Sequence, residues 1–283
     1  MSASALSAPP GCGPARLVEL VREPARKAAL LPRHGSARNM SISIEHLPYY
    51  AEILALDGFL RDPVLTFGCH DFKDSRFPSL RRQMGRRIRV YLTLGLKRRP
   101  WTDARFRPMR EVPRKFRAAT FGEILHNHGV KEVRMLDLFD SRADLRIDMN
   151  DPLPDGLNGR FGTVIDIGSI EHVFDTRQCL SNLFDLVAVQ GHLLLHTPCN
   201  GFFDHGFHTF SPECMLQALE LNGFEVRYLK FSGVGGAELK DPEAGWSSLM
   251  WIVARKVRCA GAFVVPQQGR WKPIYTARAV QAV

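Results

Sequence analysis

The stretch from Phe161 to Phe224 constrains the fold most, because strand-like and helix-like apolar runs alternate there without long gaps. Residues 161–168 (FGTVIDIG) form a short apolar run ending on an acid and a glycine, the pattern of a buried strand leaving its sheet. Asp175 is placed to cap a helix whose inner stripe is Leu180, Leu183, Phe184 and Val187. Gly191 is expected to close that helix in a left-handed conformation. His192 to His196 then reads as a strand that Thr197 and Pro198 end. Ser211, Pro212 and Glu213 supply an N-cap, a first-turn proline and an acid on the helix dipole. Met215, Leu216, Leu219 and Leu221 continue this helix to Gly223, and two late strands follow at Phe224–Leu229 and Leu249–Ala254. Such alternation predicts an α/β, Rossmann-like, mostly parallel sheet with helices on both faces and an antiparallel last strand.

The earlier chain is compatible with this architecture. His46 to Leu60 carries apolar residues near helical spacing, and residues 62–68 (DPVLTFG) read as a buried first strand running into a turn. Phe121–Asn127 reads as a helix, Glu132–Asp137 as a strand, and Ala143–Ile147 as another short strand ending at Asp148. Residues 1–40, rich in Ala, Ser, Pro and Arg, are expected to be a disordered leader, with an organellar transit peptide as the alternative. The α/β domain is then expected over 41–256 and a C-terminal tail over 257–283.

Charge is distributed unevenly. Residues 72–118 hold sixteen Lys or Arg against three acids, a local +13 in a chain of net +9, which leaves −4 for the remainder. This basic segment follows the first strand as an insertion. Residues 81–92 within it read as an amphipathic helix or an extended arm. Interleaved arginines and aromatics there could hold nucleic acid, an anionic lipid surface or a phosphorylated sugar; the plainer reading is a solvated face. No window is apolar enough for a membrane span. The six cysteines are scattered with no CxxC pair, which fits reduced thiols and a cytoplasmic protein. Oligomeric state is not legible.

Ligands of an open parallel sheet bind beyond the carboxyl ends of its strands. Those ends here are Gly68 to Asp71, Asp137, Asp148, Asp166 to Ser169, and Thr197 to Asn200. Residues 161–175 (FGTVIDIGSIEHVFD) resemble the fourth-strand segment of class I S-adenosylmethionine-dependent methyltransferases, which often read FDxVxxxGxxEHVxD. Gly191 into Leu193, Leu194 and Leu195, with residues 197–201 (TPCNG) after it, resembles their fifth-strand segment. Residues 205–212 (HGFHTFSP), followed by Asn222, Gly223 and Phe224, are similar to the HGFxxFSP…NGF run of a bacterial subgroup. The similarity extends over about 62–229, the basic segment excepted.

The resemblance implies S-adenosyl-L-methionine as cofactor. It would place the turn at Gly68 against the methionine part, Asp137 on the ribose hydroxyls and Asp148 facing the adenine amine. Asp166 and Gly168 would line the methyl-transfer cleft. The resemblance conveys fold better than substrate. The leading reading of the whole chain is an O-methyltransferase acting on a small-molecule or carbohydrate-like acceptor that enters between the Glu171–His172 loop, the His205–His208 loop and the basic insertion. Three departures from the family pattern are visible. The first turn, residues 66–72 (TFGCHDF), keeps one glycine and has Thr66 in place of the leading acid. The basic segment interrupts the first crossover. Too few residues separate Asp137 from Ala143 for a crossover helix.

Other residues offer chemistry of their own. Glu171 and His172 lie just past the fourth strand, where an imidazole titrating near neutrality could take a proton from a substrate hydroxyl; alternatively both simply hold the loop. Asn200, His205 and His208 are candidate substrate contacts on a loop rich in aromatics. His196, His205, His208 and Asp204 lack a regular element to aim their rings, so no metal site is predicted. Cys199 has no partner fixed by spacing. An Asn/Asp-Pro-Pro-aromatic signature of base-amine methylation is missing after the fourth strand, where residues 166–169 read DIGS. A fold of this kind that has lost its cofactor and serves as a binding or scaffold protein is the alternative reading.

Overall fold

In the computed structural model, residues 41–72, 114–116, 118, 120–244 and 247–268 are described. The expected leader, most of the basic insertion and the end of the tail lie outside them. Nine strands and four α-helices are present among the described residues. The strands are β1 (Ser41–Ile42), β2 (Val64–Phe67), β3 (Asp71–Phe72), β4 (Val133–Leu136), β5 (Phe161–Ile167), β6 (Val187–Asn200), β7 (Phe224–Gly233), β8 (Glu238–Leu239) and β9 (Ser248–Lys256). The helices are α1 (Leu47–Leu54), α2 (Phe121–Asn127), α3 (Thr176–Leu186) and α4 (Pro212–Leu221). Seven strands form one sheet in the order β4-β2-β5-β6-β9-β7-β8, and β1 pairs separately with β3. β4, β2, β5 and β6 pair in parallel, whereas β9 runs antiparallel between β6 and β7. This is the Rossmann-like α/β sheet with an antiparallel last strand that the alternation predicts.

Strand pleating explains why both faces are covered. In β5 and β6, Val164, Leu193 and Leu195 face one way and pack with Leu180, Leu183, Met215 and Leu219 of α3 and α4. Ile165 and Leu194 face the other way, against Tyr50 and Ile53 of α1 and Ile124 and Leu125 of α2. Successive apolar residues therefore serve opposite layers, which is why these strands lack a polar face. The two expected caps are in place, Asp175 and Ser211 accepting from the amides of Gln178 and Cys214, and Thr120 caps α2 in the same way through the amide of Glu123. At the other end of α3, the buried Lys256 ammonium of β9 donates to the carbonyls of Phe184 (2.7 Å) and Val187 (2.9 Å). A cation there answers the negative end of the helix dipole.

Three expectations are corrected. Gly191 does not close α3, which ends at Leu186; it lies inside β6, and the left-handed residue is Gln190 (φ 69°). A Cβ at Gly191 would sit 2.7 Å from Gly162 O and 2.8 Å from Ala188 O, so the glycine serves close backbone approach. Thr197 and Pro198 do not end the strand, because β6 pairs with β9 as far as Asn200. Ala143–Ile147 is no strand: it contributes a single parallel bridge, Leu136 to Leu145. The chain has no room for a crossover there, and the Asp144 carboxylate instead accepts from Met135 N (2.9 Å), blunting the sheet edge.

Candidate active site

The parallel strands deliver their carboxyl ends to one edge. Phe67 is in register with Leu136 on one side and Asp166 on the other, and Ile167 pairs with His196. Gly68, Asp137, Asp166 and Thr197 therefore emerge side by side. The polar groups fall into two halves, one around β2 and β4 and one around β5 and β6.

In the first half Gly68 is left-handed (φ 97°) and its amide donates to Leu136 O at 2.8 Å. A Cβ there would meet Ser169 Oγ at 2.7 Å and His70 Cε1 at 2.8 Å. The chain itself occupies the space beside this glycine. Ser169 Oγ donates to Phe67 O (2.6 Å), and His70 Nε2 lies 2.8 Å from the same carbonyl, which requires its proton on Nε2. Burial pushes the His70 pKa down to about 4, against smaller upward pulls from the Phe67 carbonyl, Asp137 and Asp71. Asp137 Oδ1 accepts from the amides of Phe139 (2.8 Å) and Asp140 (3.0 Å), a turn that leaves Oδ2 for a ligand. Asp148 Oδ1 accepts from Asn150 N (3.0 Å) and Nδ2 (2.7 Å), and Asn150 Oδ1 in turn accepts from Asp175 N. Arg142 joins the two loops, 2.7 Å from carboxylate oxygens of both Asp71 and Asp140.

The second half is buried deeper, and it too holds a buried polar atom without a partner among the described residues, as His70 Nδ1 is in the first. Asp166 is fully buried; Oδ1 accepts from Ser169 N at 3.0 Å, while Oδ2 has no partner among the described residues. Gly168 follows in a left-handed turn (φ 72°), and Ile170–His172 form a 3-10 turn. Glu171 is 1% exposed and its Oε2 accepts from Thr197 Oγ1 at 3.2 Å. Burial raises both carboxyls, and the Glu171 charge raises Asp166 further. Glu171 Oε1 faces His205 Nε2 at 3.8 Å, and the His172 and His205 rings lie 5.2 Å apart.

The loop bearing His205 is bound to the 3-10 turn through its backbone: Phe207 N and His208 N both donate to Glu171 O, at 2.8 and 3.2 Å. Phe202 and Asp204 adopt left-handed conformations (both φ 58°), which side chains other than glycine seldom take. His208 and Asn200 do not join the cluster. His208 Nε2 lies 3.0 Å from Phe174 O, and Asn200 bonds to Gly201 N and Pro242 O. Three large aromatics surround the cluster in solvent, Phe174, Phe203 and Phe207, exposed by 73, 95 and 67%. Asn150 is the residue whose placement at the site sequence reasoning missed, an amide two residues beyond an expected strand-end acid being the available signal. Ser169 and Thr197 lie within the strand ends singled out by sequence, but sequence reasoning gives them no role.

No protein-family model matches this sequence, and no curated protein matches it. Solved structures do. An S-adenosylmethionine-dependent methyltransferase from Mesorhizobium loti aligns at TM-score 0.35 and 14% identity, covering 48% of this chain and 85% of that one. A geranyl diphosphate methyltransferase in complex with S-adenosylmethionine aligns at TM-score 0.37 and 13% identity, covering 48% and 74%. The 1,6-didemethyltoxoflavin-N1-methyltransferase of Burkholderia thailandensis, bound to 1,6-didemethyltoxoflavin and S-adenosylhomocysteine, aligns at TM-score 0.37 and 14% identity, covering 67% and 95%. The fold assignment rests on the strand order described above. Among the described residues no helix is long and apolar enough to cross a membrane.

Proposed function

We propose that this chain is an S-adenosylmethionine-dependent methyltransferase that methylates an oxygen of a small-molecule or carbohydrate-like acceptor. One observation carries the reading: Gly68, Asp137 and Asp166 leave three adjacent parallel strands at a single edge, with Glu171 and His172 directly beyond. The fit of the cofactor differs along its length. Asp137 retains a carboxylate oxygen for ribose hydroxyls, and Asp148 stands on the next loop, suited to the adenine amine. At Gly68 the His70 ring and Ser169 hydroxyl fill the space, so His70 must turn aside for a methionine chain to lie against the glycine.

The bound cofactor would supply an electrophilic methyl group on sulfur. The protein's part is then positioning, since an in-line displacement depends chiefly on geometry. Gly168 borders the cleft between the two halves, with Asp166 buried directly behind it. His205 faces the Glu171–His172 turn and borders the acceptor position, while His172 accepts the hydroxyl proton and Glu171 orients the acceptor. Asn200 and His208 would touch acceptor only at the rim, because their polar atoms already hold the loop.

A second reading, a binding protein of this fold without cofactor, is favoured by the closed turn at Gly68. Calorimetry with S-adenosylmethionine and S-adenosylhomocysteine separates the two. Heat with either one, weakened by about 10- to 100-fold in Asp137→Ala as a charged hydrogen bond is lost, supports the methyltransferase. Folded protein that gives no heat with either removes it.

A further inference from the structure

We infer that Glu171, His172 and His205 form a binding site for a divalent transition-metal cation of zinc-like chemistry. One ligand atom from each residue lies within 4.8 Å of the other two. Glu171 and His205 approach one another without closing a hydrogen bond. Glu171 Oε1 to His205 Nε2 is 3.8 Å, beyond hydrogen-bond range, and the His172 and His205 ring centroids lie 5.2 Å apart with their planes tilted by 57°. A tetrahedral ion with bonds near 2.1 Å holds its donors about 3.4 Å apart, so the rings need to move by roughly an ångström. Both histidines are solvent-exposed and can make that adjustment, and the same exposure gives the ion an entry path.

The surroundings have the form of a supporting shell. Thr197 Oγ1 holds Glu171 Oε2 and so fixes the carboxylate with Oε1 turned toward the histidines. The His205 loop is fastened by two backbone bonds to the carbonyl of Glu171 itself, which makes the ligand-bearing segments one unit. Two imidazoles with one carboxylate suit Zn²⁺, Co²⁺ or Fe²⁺; Mg²⁺ and Ca²⁺ prefer all-oxygen sets. Three protein ligands leave a position open to water or an acceptor oxygen, as in catalytic rather than structural zinc sites. A ligated His172 has no lone pair left for a proton, so with the cation bound the open metal position, and not His172, takes the acceptor oxygen. The site itself stands whether or not the chain transfers methyl groups.

The test is titration of chelator-treated full-length protein with Zn²⁺ by calorimetry and with Co²⁺ by visible absorption, each beside Mg²⁺. One equivalent of Zn²⁺ or Co²⁺ should bind, without thiolate charge-transfer bands, and Mg²⁺ should give no heat. Thr197→Val should weaken binding by about 10- to 100-fold as an outer-shell loss does, and His172→Ala or His205→Ala by more than that. His126→Ala, on an exposed part of α2, should bind as the parent does. The inference is overturned if folded protein binds neither ion, or if the double variant His172→Ala/His205→Ala binds as tightly as the parent. Cofactor calorimetry in the presence of chelator reads the methyltransferase proposal separately, so either can fail alone.

Discussion

The two halves of the carboxyl edge differ in how far the fold has already used their polar groups. Around β2 and β4, acids are engaged in local turns and ion pairs: Asp137 with two amides, Asp148 with Asn150, and Asp71 and Asp140 with Arg142. Even the gap beside Gly68 holds a histidine. Around β5 and β6, a buried carboxyl oxygen of Asp166 has no partner among the described residues, and Glu171, His172 and His205 converge within 4.8 Å of one another. Buried polar groups without partners are costly, and they persist mainly where function keeps them. Under the proposed function, the contrast would give the first half the holding of a ligand by its edges and the second half the chemistry.

The largest effects should follow from changes in the second half. His172→Ala should cut methyl transfer from labelled S-adenosylmethionine to an extract of hydroxyl-bearing metabolites by about 10²- to 10⁴-fold. Cofactor affinity, measured by calorimetry, should stay at the parent value. Equal loss of both would break the division into halves.

The next effect belongs to the first half. His70 is neutral when folded, with its pKa lowered from 6.5 to about 4, so the unfolded chain binds the proton first as pH falls. The stability from its neutral burial is complete above about pH 6.5 and is lost between there and about pH 4. That loss is on the order of 3 kcal/mol for this group. Urea midpoints measured across that range should fall less steeply in His70→Gln than in the parent. Identical slopes would show that the ring is not held dry beside Gly68. The smallest effect should come from Asn200→Ala, whose polar atoms hold the loop; a stability loss of about 1 kcal/mol with little change in transfer is expected. A large loss of transfer would move Asn200 into the acceptor position.

Much of the fold can be read from local rules because those rules agree with one another. Thr120, Asp175 and Ser211 announce three helices by the same hydrogen bond, and the doubly apolar strands require helices on both sides. Gly191 was misread because a glycine after a helical run looks like a helix end, whereas its reason is a carbonyl from β5 pressing on it from a different strand. That contact is not local. The same limit applies to the site. Acids at strand ends can be read from periodicity, but His205 meets Glu171 across a loop whose course depends on two backbone bonds to one carbonyl. No spacing rule encodes such a meeting, and the aromatic-rich loop that singles out His205 equally singles out His208, whose ring is tied to Phe174 O.

Phe202 and Asp204 show what the loop bearing His205 costs the folded chain. Each left-handed residue that is not glycine carries about 1–3 kcal/mol of strain. Asp204→Gly would remove part of that burden and widen the conformations open to the neighbouring His205. The chain then trades rigidity for stability: a variant that melts higher while holding its histidine less firmly. Selection for heat resistance alone would tend to erode this loop first, and the loss would be of aim, with the fold intact.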